Sequence, residues 1–285
     1  MSITRKPEWL KKQFDPIAES KMTALMRSLS LHTVCEDANC PNRSECFKSR
    51  TATFLILGDV CTRGCRYCAV AKGAPALLDP EEPQHVAEAA EQLGLRHIVV
   101  TSVTRDDLPD GGAEHFAQTI LALRERLPQS TVEVLIPDFQ GVESALDTVL
   151  AARPDILNHN LETVERLQPS VRPQADYARS LSVLRHAAQT GARTKSGLML
   201  GMGETDGELL SALRDLRATG VSLLTLGQYL APSSAHHPVA RFVTPSEFDH
   251  WRTEALALGF FSVASAPHVR SSYHAEELMA VRSAS

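Results

Sequence analysis

The side chains best suited to chemistry are the six cysteines, which all fall within one window of the 285-residue sequence. They form two triplets, Cys35-x4-Cys40-x5-Cys46 and Cys61-x3-Cys65-x2-Cys68. Thiols spaced this closely are either cross-linked or bound to metal. Two sets of three indicate two iron–sulfur clusters, each lacking one of the four usual protein ligands. Because an iron with an open position can bind a reactant, this window is the predicted functional site.

The composition sets limits on the partners and the compartment. The net charge of −5 gives no support to nucleic-acid binding as the main role. No apolar run approaches the ~20 residues needed to cross a bilayer, and the N-terminal MSITRKPEWLKKQF lacks the apolar stretch of a secretory signal. We therefore expect a cytoplasmic protein with neither a nucleic-acid nor a membrane partner. That reducing compartment disfavours disulfides and favours metal ligation by the cysteines.

The elements that would position the cysteines begin at about residue 53, where strand-like runs start to alternate with segments of helical periodicity. The strand-like runs are 53–57, 97–102, 132–136, 155–158, 194–200 and 221–226. Several are apolar on both faces, which is typical of a parallel sheet covered on both sides. The alternation predicts an α/β fold, a (β/α)6 barrel of the TIM type, complete or partial, with N-terminal and C-terminal extensions. A doubly wound sheet is the alternative.

This interpretation divides the chain into three segments and places the site. Residues 1–50 form an extension that carries the first triplet, 51–265 form the barrel, and 266–285 form a tail. In such barrels the chemistry takes place at the C-terminal ends of the strands, and Cys61–Cys68 directly follows the first strand. Polar residues lie in or next to the ends of later strands: Thr101, Ser102, Asn158, Asn160, Lys195 and Gln228. Hydrogen-bonded strand termini are the other explanation for these residues.

The second triplet carries a specific resemblance. Zinc is the structural alternative, but structural zinc sites prefer four closed ligands. The segment CTRGCRYC (61–68), with an aromatic residue before its last cysteine, resembles the motif of the radical S-adenosylmethionine (SAM) enzymes. The resemblance implies a partial barrel of the radical SAM kind, in which Cys61, Cys65 and Cys68 hold a 4Fe–4S cluster and SAM chelates the open iron. Reduction of SAM would release a 5′-deoxyadenosyl radical that abstracts hydrogen.

The first triplet alone leaves a zinc-bound arm or three reduced thiols open. Taken with the tail motif VRSSYHA (269–275), it closely resembles the lipoyl synthase family, and the likeness extends over nearly the whole chain. The matching segments are RKPEWL (5–10), TATFLILG (51–58), TSVTRDDLPDGGA (101–113), NHNLETV (158–164), TKSGLMLGMGET (194–205) and LTLGQYL (224–230).

The lipoyl synthase resemblance implies roles for further residues. Cys35, Cys40 and Cys46 would hold an auxiliary 4Fe–4S cluster that is consumed as the sulfur source. Ser272 would be its fourth ligand, with Ser271 as the fallback. An alkoxide is a weak ligand beside thiolates, which suits an iron that is meant to leave. Candidate SAM contacts are Thr101, Ser102, Asn158, Asn160, Glu162, Lys195 and Gln228, and Arg270 would position the tail or stabilise cluster sulfides.

The same resemblance implies a reaction and partners. The substrate would be an octanoyl group on a lysine of a lipoyl carrier domain, either a 2-oxoacid dehydrogenase E2 subunit or the glycine cleavage H protein. Two SAM-derived radicals would abstract hydrogen at C6 and C8, and sulfur from the auxiliary cluster would bond to each carbon. A ferredoxin or flavodoxin would supply electrons, and an iron–sulfur carrier protein would be a further partner.

Three details leave alternatives open. Ala266 stands where glycine is expected before Pro267, and His236-His237 invites a metal site, although a solvated or partner-facing loop is the favoured interpretation. A different radical SAM enzyme, such as a methylthiotransferase, is one alternative function; it would be expected to carry an RNA-binding module and a differently placed cysteine set. A non-catalytic zinc- or cluster-binding regulator is the other.

Overall fold

A computed structural model describes residues 5–12, 15–48 and 52–272. Contacts divide these residues into two compact units. Unit I comprises residues 15–48, 52–64 and 69–158, and unit II comprises residues 5–12, 65–68 and 159–272. The second cysteine motif is therefore shared between them: Cys61 belongs to unit I, while Cys65 and Cys68 belong to unit II.

Unit I is built on a mostly parallel sheet whose strands follow one another in the order β1-β2-β5-β6-β7. The strands are β1 (His32–Thr33), β2 (Thr53–Ile56), β5 (His97–Ser102), β6 (Thr131–Leu135) and β7 (Ile156–Asn158). β1 pairs antiparallel with β2, and the remaining neighbours are parallel. A separate two-stranded ribbon joins β3 (Val60–Cys61) to β4 (Ala71–Lys72). The cysteine-bearing extension is thus attached to the first strand of the predicted barrel through β1.

The helices of unit I cover this sheet. They are α1 (Pro16–Ser28), α2 (Val34–Asp37), α3 (Arg43–Lys48), α4 (Glu82–Leu93), α5 (Ala113–Arg126) and α6 (Glu143–Ala151), with a 3-10 turn at Phe139–Gly141. The four central residues of β5 are buried, as expected for a strand covered on both faces. Helix α4 ends at Gly94, whose left-handed backbone (φ 67°) closes the last turn.

Unit II repeats the strand–helix pattern with three parallel strands, β8 (Thr194–Leu200), β9 (Leu223–Gln228) and β10 (Ser262–Ser265). Its helices are α7 (Gln168–Val171), α8 (Tyr177–Gln189), α9 (Asp206–Ala218) and α10 (Pro245–Ala257), with 3-10 turns at Glu8–Leu10 and Glu165–Leu167. Capping boxes start α9 at Thr205 and α10 at Thr244. The core of the unit joins the inner faces of these strands and helices.

The six strand-like runs of the sequence are all strands, and 97–102 and 194–200 have the predicted bounds. The run 221–226 begins two residues later, at Leu223. The carbonyl of Ser222 instead accepts backbone N–H groups from the residues that lead into β10. β10 and α10 were not predicted. The division at residues 50 and 265 stays a prediction, and residues 1–4, 13–14, 49–51 and 273–285 of those segments lie outside the described part. Within the described ranges, no helix is long and apolar enough to cross a membrane.

Candidate functional site

The first triplet lies in unit I on two short helices and the turn between them. Thr33 caps α2 by accepting the N–H of Glu36, and Cys35 follows in the first turn. The N–H of Cys40 donates to the carbonyl of Cys35 at 3.0 Å, and that of Cys46 donates to Asn42 at 2.9 Å. Burial raises the pKa of the Cys35 thiol to about 12, and the neighbouring Cys40 adds to the increase. Cys35 and Cys40 therefore lie close enough to interact, with Cys46 on the following helix.

Helix α1 holds this arm in place. The Glu19 carboxylate accepts a hydrogen bond from the hydroxyl of Ser44 and forms an ion pair with Arg43 at 2.5 Å. Ser44 and Arg43 both belong to α3. The hydroxyl of Ser44 also accepts the N–H of Asp15 at 3.1 Å. These polar contacts fix α3, and with it Cys46, against α1.

The sulfur of Cys61, also in unit I, accepts two backbone hydrogen bonds. The N–H of Arg63 lies 3.4 Å from it and the N–H of Thr104 lies 3.3 Å from it. Thr62 ties the same loop to Thr104, since both its N–H and its hydroxyl donate to the Thr104 carbonyl, at 3.0 and 2.9 Å. Amide hydrogens aimed at a sulfur stabilise a charged thiolate, which is the form that binds metal.

Arg63, inside the cysteine motif, is a buried anchor of unit I. Its guanidinium donates to Asp106 through Nε at 2.6 Å and Nη2 at 2.8 Å, and to Asp138 through Nη2 at 2.6 Å. Burial disfavours its charged form, but the hydrogen bonds to the two carboxylates raise the pKa of Arg63 above its ordinary value. The cation fastens the loop that follows Cys61 to two other loops of the unit.

A backbone bend at Leu57 directs the chain from β2 into the Cys61 loop. Leu57 is buried and has a left-handed backbone (φ 70°), a strained conformation for a residue with a branched side chain. Its N–H donates to the buried carboxylate of Glu82 at 2.8 Å, and its carbonyl accepts from Arg105 at 3.2 Å. His115 Nε2 donates to the same Glu82 oxygen at 2.6 Å. Glu82 and Arg105 thus hold the strained Leu57 directly, and His115 holds Glu82.

The segment with Cys65 and Cys68 is fixed in unit II by its backbone. The N–H of Arg66 donates to the carbonyl of Val171 at 2.8 Å, and the carbonyl of Arg66 accepts from the N–H of His237 at 2.8 Å. His236 Nε2 donates to the carbonyl of Cys68 at 3.2 Å. The half-buried His236-His237 pair therefore differs from the solvated or partner-facing loop expected from the sequence, because both residues hydrogen-bond to this segment.

Tyr67, between those two cysteines, joins a partly buried polar group in unit II. Burial raises the pKa of Tyr67 well above its ordinary value, and the Glu162 carboxylate adds to the increase. Burial also raises the pKa of Glu162, whereas the Arg172 guanidinium lowers it. Hydrogen bonds with Asn160 and Tyr67 lower the pKa of Glu162 further. Glu162, the predicted SAM contact, is thus linked to the cysteine segment.

The backbone of Glu162 is strained as well. It adopts a left-handed conformation (φ 68°) while its N–H donates to the carbonyl of Gly197 at 2.9 Å and its carbonyl accepts from Met199 at 2.8 Å. Such conformations persist only where the surroundings over-determine them, and they are concentrated at functional sites. The two bonds to β8 set the direction of this carboxylate.

In unit I, the predicted SAM contacts Ser102 and Asn158 each have a buried oxygen with no hydrogen-bond partner among the described residues. Asn158 donates through Nδ2 to Glu133 at 3.1 Å, which leaves its Oδ1 as an acceptor. Thr101 instead donates its hydroxyl to the carbonyl of Leu135 at 3.0 Å. Buried polar atoms normally have a partner, so these two oxygens fit a polar ligand better than Thr101 does.

In unit II, the predicted SAM contacts Lys195 and Asn160 bind the tail. Lys195 is fully buried and donates through Nζ to the carbonyl of Ser271 at 2.6 Å. Asn160 donates through Nδ2 to the hydroxyl of Ser271, also at 2.6 Å. The amide of Gln228 is engaged with main-chain groups, including the N–H of Val243 at 2.7 Å. Ser272 is the last described residue, and the rest of the RSSYHA motif lies outside the described part.

The donor set fits iron–sulfur clusters by its chemistry. All six cysteines lie in the described ranges, where none of them is placed in a disulfide. Within residues 5–12, 15–48 and 52–272, no three His, Cys, Asp or Glu side chains are close enough to share one metal ion. The fit therefore depends on the thiols themselves and on the two amide hydrogens that Cys61 receives.

The sequence interpretation missed most of the residues that hold the cysteines in position, and it gave His236 and His237 a different role. They are Arg63, Glu82, His115, Arg172, Tyr229, His236 and His237, which act through buried or partly buried hydrogen bonds. One signal was available, since Arg63 is a charged residue inside the cysteine motif, in a chain whose Thr104-Arg105-Asp106-Asp107 run offers it carboxylates. The partners of Glu82, Leu57 and His115, are too distant in sequence to be inferred.

Comparison with known proteins identifies relatives over almost the entire chain. The model of the radical SAM superfamily matches residues 55–216. The lipoyl synthase of Geotalea uraniireducens is 56% identical over 279 residues, covering 97% of this chain and 98% of that protein. The lipoyl synthase of Caldanaerobacter subterraneus is 56% identical over 274 residues, covering 95% and 96%.

Solved structures support the fold at much lower sequence identity. Methylornithine synthase is 14% identical with a TM-score of 0.56, covering 90% of this chain and 72% of that one. SuiB from Streptococcus suis is 10% identical with a TM-score of 0.59, covering 86% and 59%. These similarities confirm the predicted fold class, an α/β partial barrel of the TIM type.

Proposed function

The chain belongs to the lipoyl synthase family of the radical SAM superfamily, and from this premise we propose how its residues divide the work of the reaction. The enzyme is a sulfurtransferase that inserts two sulfur atoms, at C6 and C8, into an octanoyl group carried by a protein. As a radical SAM enzyme it uses a 4Fe–4S cluster and SAM. The assignment of residues to these tasks, the second cluster and the identity of the partners are the proposal.

Cys61, Cys65 and Cys68 hold the cluster at which SAM is cleaved. The observation that carries this assignment is the pair of backbone N–H groups, from Arg63 and Thr104, that point at the Cys61 sulfur. Such donors stabilise a thiolate without neutralising its charge, so the sulfur keeps its ability to bind iron. Half-exposure of all three thiols supports the assignment, because a small molecule must reach the open iron.

Cys35, Cys40, Cys46 and Ser272 hold the auxiliary cluster. Cys35 is buried, which suits a cluster kept away from water until it is used. Of the two adjacent serines, Ser271 has both its hydroxyl and its carbonyl engaged by Asn160 and Lys195. Ser272 is therefore the better candidate for the fourth ligand. Arg270 follows Val269 on the same segment and positions it.

The residues that hold SAM are those with buried oxygens that lack a partner among the described residues, together with Glu162. Ser102, Asn158 and Asn160 each offer one such oxygen, and a ligand with amino or hydroxyl donors would satisfy them. Glu162 supplies a carboxylate on a strained backbone. The side chains of Thr101 and Gln228 are hydrogen-bonded to main-chain groups, so these two residues support the site through the backbone. Lys195 binds the tail.

The chemistry that the bound groups supply is reductive cleavage of SAM to methionine and a 5′-deoxyadenosyl radical, removal of one hydrogen atom at each carbon, and provision of both sulfur atoms. The chain's own residues orient the reactants and exclude water. The Glu162–Tyr67 contact steadies the Cys65–Cys68 segment, and the Arg63 ion pairs steady the Cys61 loop.

The partners follow from the reaction. The substrate is an octanoylated lipoyl carrier domain, for which E2 subunits of 2-oxoacid dehydrogenases and the glycine cleavage H protein are the candidates. A ferredoxin or flavodoxin supplies electrons at low potential, and an iron–sulfur carrier protein rebuilds the auxiliary cluster. Thiol ligands must stay reduced, so the enzyme works in a reducing compartment such as the cytoplasm.

The test is anaerobic reconstitution of the full chain with iron and sulfide, followed by reaction with SAM, dithionite and an octanoyl-lysyl carrier peptide. We expect about eight irons per chain, as two 4Fe–4S clusters require, together with 5′-deoxyadenosine and a peptide that gains two sulfur atoms. Deoxyadenosine without sulfur transfer would leave radical chemistry in place and remove the lipoyl assignment.

Two cysteine variants separate the triplets. Cys40→Ala should retain SAM cleavage and lose sulfur insertion, whereas Cys65→Ala should lose both. Ser272→Ala should behave like Cys40→Ala. Equal loss of SAM cleavage in Cys40→Ala and Cys65→Ala would contradict the division between the triplets.

A further inference from the structure

The tail of unit II is bound along the end of β9. After β10, the N–H of Ala266 donates to the carbonyl of Leu226 at 3.2 Å, and the N–H of Gln228 donates to the carbonyl of Pro267 at 3.2 Å. The N–H of Val269 then closes a turn onto Ala266 at 3.0 Å. Ala266 does not adopt the left-handed backbone that would require glycine, so its departure from the expected residue has no structural cost.

Two glycines leave space for this tail and for the Asn160 side chain that binds it. A Cβ on Gly227 would lie 2.1 Å from the carbonyl oxygen of Val269, so only glycine lets the tail backbone approach β9. A Cβ on Gly197 would lie 2.9 Å from Asn160 Oδ1, and its absence leaves space for the Asn160 side chain. In both cases the requirement is space, because neither glycine has a positive φ.

Asn160 faces the tail on one side and Glu162 on the other. Its Nδ2 donates to the hydroxyl of Ser271 at 2.6 Å, and the same amide hydrogen-bonds with the Glu162 carboxylate. Glu162 in turn interacts with Tyr67, which lies between two of the cysteines. Asn160 Oδ1 is buried and has no hydrogen-bond partner among the described residues, so it remains an acceptor for a ligand.

We propose that Asn160 couples the docking of the tail to the binding of SAM, with Lys195 and Ser271 as the other two members of the dock. This coupling rests on the function proposed above. The tail carries Ser272, so its docked state fixes the position of the auxiliary ligand. SAM bound at Glu162 and Asn160 favours the arrangement in which Ser271 is held. The enzyme therefore generates its radical preferentially while the tail is in place.

Coupling of this kind is reciprocal, because two ligands that share one two-state element must change each other's affinity by the same factor. The two states here are the docked and the released tail. If SAM stabilises the docked tail, then a variant whose tail cannot dock must bind SAM more weakly. A residue that only supports the fold would not produce these two equal effects.

The experiment is hydrogen exchange of the amides of residues 266–272, measured by mass spectrometry on the anaerobically reconstituted full chain with and without SAM. SAM should slow exchange by about tenfold, as expected when a hydrogen bond is gained or lost. Ser271→Ala, which removes the acceptor of Asn160, should reduce the SAM effect to less than about twofold. The SAM dissociation constant of that variant should rise by the factor that is lost from the exchange.

Ser265→Ala is the matched control. Ser265 lies at the root of the tail and donates to the carbonyl of Phe248 at 2.7 Å, outside the dock. Its variant should retain the full effect of SAM. Lys195→Met provides a second route to the undocked tail, should Ser271→Ala perturb the fold.

The outcomes separate the coupling from the function. If SAM binds and is cleaved but leaves the exchange of 266–272 unchanged, or if Ser271→Ala keeps the full SAM effect, the coupling is wrong while the enzyme assignment stands. If the reduced, reconstituted wild-type chain neither binds nor cleaves SAM, the proposed function itself fails.

Discussion

The guanidinium of Arg63 donates to the fully buried carboxylate of Asp138 at 2.6 Å, while its other edge binds Asp106. Asp138 also caps the turn that follows it by accepting the N–H of Gln140 at 3.1 Å. The cation of the cysteine motif therefore neutralises a carboxylate that belongs to the loop after β6. Ion pairs therefore join the two loops of unit I.

Arg63→Met should destabilise the protein by about 3–5 kcal/mol, because it leaves the Asp138 carboxylate buried without its cation. Urea unfolding of the reconstituted chain measures this loss. Arg66→Met is the control on the same loop, since the Arg66 side chain is exposed, and it should change stability by less than about 0.5 kcal/mol. The double variant Arg63→Met/Asp138→Asn should recover part of the loss; equal effects of the two arginine variants would contradict the argument.

Glu82→Gln should weaken the support of the strained Leu57 bend. The amide presents one acceptor instead of a charged carboxylate to the Leu57 N–H and to His115, at a cost of roughly 1.5–3 kcal/mol. Iron bound per chain should also fall, because the bend leads directly into the Cys61 loop. Glu81→Gln is the neighbouring control, with an exposed side chain, and should alter neither quantity. An unchanged unfolding midpoint in Glu82→Gln would sink the idea.

Tyr229→Phe removes the hydrogen bond from the tyrosine hydroxyl to the carbonyl of His237, which measures 2.6 Å. We expect a stability loss of about 1 kcal/mol and a changed electron paramagnetic resonance spectrum of the reduced radical cluster. The spectrum should respond because His237 holds the backbone of Arg66. Tyr177→Phe deletes a hydrogen bond to the Asp215 carboxylate at 2.9 Å, and it should cost at least as much stability without altering the spectrum.

Gly227→Ala should release the tail. The added methyl group would lie 2.1 Å from the Val269 oxygen, so the tail must move away from β9. Exchange of amides 266–272 should accelerate by about tenfold or more, in line with the cost of overpacking. Gly207→Ala, in α9, meets nothing within 4 Å and should leave the exchange unchanged. Equal exchange in both variants would show that the close approach at Gly227 does not hold the tail.

Much of the strand–helix order could be predicted from the sequence because its signal is local. HIVVTS and TKSGLML each contain an apolar run, and they match β5 and β8 in full. β10 was missed since SVAS is short and polar at both ends, and it becomes a strand only by pairing with β9. The register of the tail, which places Ser271 on Lys195, depends on that pairing. Periodicity carries no information about it.

The residues of the site were predictable by type but not by contact. Cysteine spacing identifies the thiols, whereas the groups that hold them come from distant positions: Thr104 for Cys61 and His236 for Cys68. Asn160 and Lys195 were identified as functional from their places near strand ends. That they bind the tail could not be inferred, because a polar side chain at a strand end can face either a ligand or another part of the chain.

The left-handed bend at Leu57 also has a consequence for the order of folding. Its partners Glu82 and Arg105 lie 25 and 48 positions further along the chain, so nothing local supports the bend while the first strand forms. Contacts of such long range form late, after the loops between them have closed. We therefore expect the loop that presents Cys61 to reach its native geometry only after α4, α5 and β5 have assembled. In that order the loop is a late product of folding rather than its nucleus.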